Sequence, residues 1–492
     1  REASPRRALQ RAKMQAAKVG TLNIAPRGLV ILVNYTDKPF STDYNEMHEM
    51  INGDNYTRSY KSGYTRYYSE GSARRYFIDQ SLGQYLPEFT VVGPYTLSHE
   101  LNYYGANDYS GNDKRASELI IEACQAADAD GVDFSQFDCD KDGEIDFVFV
   151  IYAGYGEADG GASNTIWPHS YWVYDGYGKS VKLDGKRLNT YACANELAYG
   201  TTIHTGIGPF VHEFSHVLGL PDLYCTTYAS HRTMDDWDVM DYGPYNNDQN
   251  TPPAYSAYER FYMGWLKPDL LNAPRSLRME PLITSNEAYI VTKTGTCNFK
   301  GERPNPTDFY IVENRQIAMP DSLLQKADVI NWDKYLSGSG MMITHVQYSS
   351  SKWQDNTVNN TASSMGVDMI EAGGAGSSSR PKDLFPTGAT EYAPYKDYPI
   401  TEIVQNKDLS ISFDFMGGAD WVSSLALEKA NTGTIVYSEV VGVYDLNGHL
   451  LRDNSDGTLN LNDLPAGTYI VRLYTGDNAE KKKYKGVKII IR

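Results

Sequence analysis

The chain has 492 residues, too many for one hydrophobic core, and at roughly 150 residues per domain it should divide into about three. With 41% hydrophobic and 22% charged residues it is a folding sequence rather than a disordered or coiled one, and its 42 Gly and 22 Pro make it rich in loops. A formal charge of -17 repels phosphate backbones and anionic lipid, which excludes a nucleic-acid partner.

Residues 1–26 are basic and Ala-rich without a strand pattern, and read as a tail or pro-segment. Gly28 to Tyr35 (GLVILVNY) then reads as a buried central strand. Helical periodicity predicts helices over Tyr64 to Gln80 and Arg115 to Ala127, the second with Leu119, Ile120, Ala123 and Cys124 in one apolar stripe. Phe89 to Tyr95 and Ile145 to Tyr152 read as strands, so helix and strand alternate as in an α/β unit. From about residue 275 the pattern changes to short β segments between polar loops: Asn286 to Lys293, Phe309 to Arg315, Met341 to Tyr348 and Leu409 to Phe415. Past Gly417 and Gly418, strands are expected near Val440 to Tyr444, Tyr469 to Tyr474 and Val487 to Ile491. The expected division is an α/β domain over 27–275, a β-rich accessory domain over 276–418 and a C-terminal β-sandwich over 421–492. No apolar run approaches the roughly 18 to 20 residues of a membrane-spanning helix. Cys124, Cys139, Cys193, Cys225 and Cys297 are an odd, sparse set without CxxC spacing, which argues against a disulfide scaffold and a thiolate metal site. The 39 Tyr suit surfaces that are wet on one side and packed on the other, as in extracellular proteins.

His212-Glu213-Phe214-Ser215-His216 is an HExxH pentad in a helical stretch, Pro209 to Leu218. Two His at i and i+4 share a helix face and can aim both imidazoles at one zinc ion. Glu213 reaches a water in the open coordination position, and its carboxylate is the expected general base. From the residue frequencies such a pentad arises by accident about 0.01 times per chain, and extension to HExxHxxGxxD through Gly219 and Asp222 lowers that to about 0.00005. Gly219 is expected at φ > 0, turning the chain back so that Asp222 offers the third ligand. Glu259, in the helical stretch Tyr255 to Trp265, is the rival third ligand. Trp237 to Gly243 (WDVMDYG) resembles the Met-turn beneath the zinc of metzincins, with Met240 as its methionine. Tyr242 is then placed to donate to the oxyanion of the tetrahedral intermediate or to act as a weak extra ligand.

A second cation is expected at Asp138, Asp140, Asp142, Glu144 and Asp146, which fill positions 1, 3, 5, 7 and 9 of a calcium loop of the EF-hand type, with Gly143 at 6. Phe149 stands where the bidentate acid at position 12 belongs. His204 and His231 read as loop residues.

Taken together the chain resembles the immune inhibitor A family of secreted bacterial metalloproteases. The resemblance covers about residues 27–416, on Gly28 to Tyr35, Tyr67 to Ser72 (YYSEGS), Gly93 to Tyr95 (GPY), Val148 to Gly154 (VFVIYAG), Ile166 to His169 (IWPH), Val211 to Tyr224 (VHEFSHVLGLPDLY) and Trp237 to Met240. It implies a metzincin-like zincin domain followed by β-rich domains, with zinc on His212, His216 and Asp222 and Glu213 as base. Ser215 departs from the Gly that the family commonly has there. The same resemblance makes His169 and Glu196 cleft candidates, for which structural hydrogen bonding is the expected role, and residues 188–195 the edge strand that pairs with substrate. Residues 421–492 resemble the C-terminal sorting domains of Bacteroidetes surface proteins, on Val443 to Gly448 (VYDLNG), Leu464 to Arg472 (LPAGTYIVR) and the basic final strand. The expected protein is a monomeric, secreted or cell-surface zinc endopeptidase that also binds calcium and acts on proteins or peptides. The alternative is an inert zincin fold serving surface adhesion or glycan binding, against which the intact His-Glu-His set argues.

Overall fold

The computed structural model describes residues 27–418 apart from 110, 140, 228–229 and 375–379, together with segments between 434 and 491. The tail 1–26 and the calcium-loop residue Asp140 lie outside the described residues. The chain gathers into two compact units. The first takes in the chain up to Leu266 together with Ile317–Ser337 and Tyr348–Asp368; the second takes the rest. The first unit is thus assembled from three stretches. The two late stretches belong to it because each brings a buried tryptophan. Trp332 packs edge-on against Tyr76, with ring centroids 5.0 Å apart, and donates from Nε1 to Asp79; Trp353 meets Tyr258.

Five strands build the first unit's sheet: β1 (Arg27–Asn34), β2 (Glu88–Thr96), β3 (Val148–Tyr152), β4 (His169–Trp172) and β5 (Thr190–Asn195). Their order is β2-β1-β3-β5-β4, with every pairing parallel except the antiparallel pair β4–β5. β1 has a parallel partner on each side and both faces covered, which is why Leu29 to Val33 are uninterrupted apolar residues with no exposure. β5 is interior too, with all six residues buried, so the expectation that residues 188–195 form the edge is corrected: the edge on that side of the sheet is β4. The side chains agree, since the TYACAN run of β5 suits a strand covered on both faces, whereas three of the four β4 residues are half-buried.

The helix α1 (Ala73–Gln80) starts at Ser72, whose hydroxyl accepts from the Arg75 N–H. Residues 64–72, expected to be helical, instead form the second arm of a hairpin, Thr57–Ser62 with Thr65–Glu70, turning at Gly63 (φ 58°). Dense Thr and Tyr and the positive-φ turn outweigh the apparent 3.6-residue period. One sheet face is covered by α2 (Ala116–Ala129), whose Leu119, Ile120, Ala123, Cys124 and Ala127 join Leu29, Ile31, Val33, Val148 and Val150 in one core. The opposite face carries Phe89, Phe147 and Phe149, and onto it packs α3 (Gly208–Val217) through Phe210 and Phe214. Each such phenylalanine contributes about 1.5–3 kcal/mol by burial.

In the second unit, Tyr289–Thr292, Asp308–Arg315 and Gly340–Gln347 pair antiparallel, and Arg275–Met279, Ile411–Phe415 and Ile400–Gln405 form a three-stranded sheet. Their inward faces share one apolar core that includes Val291, Val312, Ile343 and Phe413. Within 421–492 the described residues form a four-stranded antiparallel sheet, in the order Leu450–Asp453, Val440–Tyr444, Gly467–Asn478, Lys481–Ile491, and the short ladder Thr434–Ile435 with Leu459–Asn460. All five cysteines are free thiols.

Candidate metal centre

α3 carries two pairs of residues at i and i+4. Phe210 and Phe214 anchor it to the sheet, and His212 and His216, two residues further on and so roughly 200° around the helix, face away from that contact. Pro209 occupies the first turn, where its missing N–H costs nothing. Gly208 is required there, because a Cβ would lie 2.1 Å from the Pro244 carbonyl oxygen. Gly219, at φ 105°, ends the helix and lets the chain return.

The return brings Asp222 to the imidazoles. Its Oδ1 lies 3.3 Å from His212 Nε2 and 3.1 Å from His216 Nε2. The Nδ1 atoms are engaged elsewhere, His212 with the Val239 carbonyl at 2.8 Å and His216 with the Leu220 carbonyl at 2.9 Å. Those contacts put a proton on Nδ1 and leave Nε2 of each ring facing Asp222. Asp222 Oδ1 is buried between the two Nε2 atoms, so its charge has to be met there, by a proton on an imidazole or by a bound cation. The titration behaviour expresses the same demand. Burial opposes a charged His212, yet the hydrogen bond to Asp222 and the charges of Glu213 and Asp222 raise its pKa to about 9. Burial would raise Asp222, but the two imidazoles hold it well below the usual carboxylate range. Four ligands about 2.0–2.1 Å from a tetrahedral zinc stand about 3.3–3.4 Å apart, close to the separations here. Glu213 groups with the two imidazoles: one ligand atom from each of His212, Glu213 and His216 lies within 4.8 Å of the others.

The rival ligand Glu259 is otherwise employed. In α4 (Ala257–Tyr262) it completes a capping box, its Oε2 accepting from the Ser256 N–H at 2.7 Å and hydroxyl at 3.0 Å while its own N–H donates to Ser256 Oγ. Met240 is fully buried, and the main chain beside it braces the site: Val239 O receives His212, and Met240 O receives the Leu223 N–H at 2.8 Å. Tyr242 is 57% exposed, with its N–H bonded to the Asp235 carbonyl and its ring at the surface. Ser215 donates to the Val211 carbonyl at 2.6 Å and meets the Tyr255 hydroxyl, tying α3 to the segment before α4.

His169, His204, His231 and the buried Glu196 are engaged in hydrogen bonds away from the two imidazoles. His169, on β4, bonds Tyr191 OH and the Trp167 carbonyl. Glu196 is fully buried and satisfied: Oε1 accepts from the N–H and hydroxyl groups of Ser41 and Thr42, and Oε2 from the Gly154 N–H. His204 is buried between the Thr205 carbonyl and Glu46; burial first, and then the Arg58 charge, lower its pKa. His231 bonds the Asn359 carbonyl.

The acidic loop meets cations of its own chain. Lys186 Nζ lies 2.6 Å from Asp138 Oδ2, and Arg187 pairs with Glu144. Asp138 also receives the Asp142 and Gly143 N–H groups, and Asp146 receives that of Cys139. Among the described residues these carboxylates do not gather into a group that can hold an ion, whereas His212, Glu213 and His216 do.

Sequence reasoning missed Asn356. Its Oδ1 accepts the Asp222 N–H at 2.8 Å and its Nδ2 donates to Asp222 Oδ2. It lies 134 residues downstream, and a lone asparagine in a polar stretch has no spacing that would single it out.

The chain is 29% identical over 272 residues to "Immune inhibitor A" of Bacillus thuringiensis subsp. alesti, covering 46% of this chain and 38% of that protein. It is 26% identical over 271 residues to "Pre-pro-metalloprotease PrtV" of Vibrio cholerae serotype O1 (strain M66-2), covering 48% of this chain and 29% of that protein. It therefore spans well under half the length of either relative. No helix among the described residues is long and apolar enough to cross a membrane. Residues 13–266, just over half the chain and the stretch that carries α3, Asp222 and the Met240 turn, match the family described as immune inhibitor A peptidase M6, catalytic domain, and the protein belongs to that family.

Proposed function

We propose that the protein is a secreted zinc endopeptidase with a metzincin-like catalytic unit, in which His212, His216 and Asp222 hold the metal and Glu213 is the general base. The observation that carries this reading is the buried Asp222 oxygen set 3.3 and 3.1 Å from the Nε2 atoms of His212 and His216, with Glu213 beside the two imidazoles. Two imidazoles and one carboxylate suit a catalytic zinc that keeps a position open. When bound, zinc acidifies a water and polarises the scissile carbonyl. Glu213 takes the proton from the attacking water and delivers it to the leaving amine. The Tyr242 phenol, exposed two residues after Met240, donates to the oxyanion. The substrate is an extended peptide that lies along β4, the outermost strand beside β5, which packs against α3. Secretion rests on the family resemblance and the Tyr-rich composition.

Calcium in the acidic loop is part of the same proposal, on the calcium-loop spacing of its carboxylates, with Lys186 and Arg187 pairing with Asp138 and Glu144 beside it. The competing reading, an inert adhesion or glycan-binding protein, leaves Glu213 without a purpose. Casein hydrolysis by the purified chain, abolished by a chelator and restored by zinc, is the expected result. Cleavage that persists in the chelator overturns the zinc mechanism, and failure to cleave any protein with zinc bound favours the inert fold.

A further inference from the structure

The hydrogen bonds around Asp222 point to a residue that controls the metal without touching it. We propose that Asn356 is a positioning residue for the third ligand, and that the smallest metal-holding unit therefore extends beyond residue 266 to the segment 348–368. The inference rests on the zinc reading above.

Asp222 sits in a turn after a glycine, where its carboxylate would otherwise be free to rotate. One planar amide removes that freedom at both ends: Asn356 Oδ1 takes the Asp222 main-chain N–H, and Asn356 Nδ2 holds Asp222 Oδ2. The amide orientation is fixed by the chemistry, since a main-chain N–H can only donate and so must face Oδ1. With Oδ2 held by a charge-assisted bond, Oδ1 is the oxygen left to face His212 and His216. Aspartate offers two acceptors, leucine neither group, and glutamine a longer reach; asparagine alone has this donor–acceptor pair at this length.

The anchor is itself anchored. Thr226 Oγ1 donates to the Asn356 carbonyl at 3.1 Å, and the Thr226 N–H donates to Asn360 Oδ1 at 2.7 Å. Asn359, fully buried, donates from Nδ2 to the Leu223 carbonyl at 2.8 Å and accepts the Gly366 and Val367 N–H groups on Oδ1. Asn356, Asn359 and Asn360 thus grip the chain from Asp222 to Thr226, the stretch that the metal requires to be still.

The test is zinc affinity in the full chain, measured by competition with a chromogenic chelator, together with the visible spectrum of the cobalt-substituted protein. Asn356→Ala should weaken zinc about 10- to 100-fold, the usual effect of removing a partner that orients a ligand, and should shift the cobalt bands. The metal-free melting temperature should stay within a few degrees of the parent, which separates ligand positioning from general stability. Asn356→Leu, close in volume, should behave alike and serves if the alanine variant does not fold. Zinc affinity within about two-fold of the parent and an unchanged cobalt spectrum overturn the proposal while leaving the zinc site intact. Failure of both variants to fold even in excess zinc also overturns it, by making the role purely structural. If the parent itself takes up no zinc, the metal reading falls and this inference falls with it.

Discussion

Replacing Asp222 with alanine while Glu259 is replaced with glutamine in a second protein separates two geometries for the third ligand. Asp222 is 5% exposed and its carboxylate is set against two imidazoles and Asn356. Removing one partner from a buried charged set costs about 3–5 kcal/mol. At about 1.4 kcal/mol per decade, zinc affinity in Asp222→Ala should fall roughly 100- to 4,000-fold. Glu259→Gln keeps an oxygen that can accept from the Ser256 N–H and hydroxyl, so the capping box persists and zinc affinity should not change. Its melting temperature should drop by only a few degrees. Metal analysis of both dialysed, folded variants, followed by chelator competition, gives the comparison. Retention of zinc by Asp222→Ala with its loss from Glu259→Gln would refute the argument from the Oδ1–Nε2 distances and make the centre gluzincin-like.

Glu213→Ala should retain zinc and lose about 100- to 10,000-fold in the turnover of a quenched peptide, the range for general-base catalysis, and near-native turnover would remove Glu213 from the mechanism. Burial raises the Asp241 pKa from 3.8 to about 7, so the native state holds that proton more tightly than the unfolded chain, and its stabilising contribution, complete below pH 3.8, is lost as pH rises through about 7. Asp241→Asn should therefore flatten the fall in urea-unfolding free energy between about pH 4 and 7, and parallel curves for parent and variant would contradict the assignment. A calcium-selective chelator should lower the melting temperature by several degrees, and an unchanged value would leave Asp138 to its pairing with Lys186 alone.

The metal centre was legible because its spacing is local: His212, His216 and Asp222 lie within eleven consecutive residues, and Gly219 marks the turn between them. β1 was legible because burial on both faces writes a continuous apolar run. β5 was recognised as a strand but misplaced at the edge, since strand order depends on which elements cover the neighbours, and no short window records that. The hairpin arm Thr65–Glu70 falls inside the helix expected over Tyr64 to Gln80, because its closely spaced tyrosines also satisfy a 3.6-residue period. Least legible were the stretches around Trp332 and Trp353, each too short to be periodic, and Asn356, whose meaning lies wholly in what it touches across 134 residues.

That distance gives the centre a place in time as well as in space. The helix bearing His212 and His216 is synthesised long before the amide that restrains Asp222. At about 5–20 residues per second the intervening 134 residues take roughly 7 to 27 s, with the second unit's first strands emerging in between. During that interval the nascent chain carries the sheet and both imidazoles but not the clamp on the carboxylate, and full closure of the site waits until most of the chain has been made.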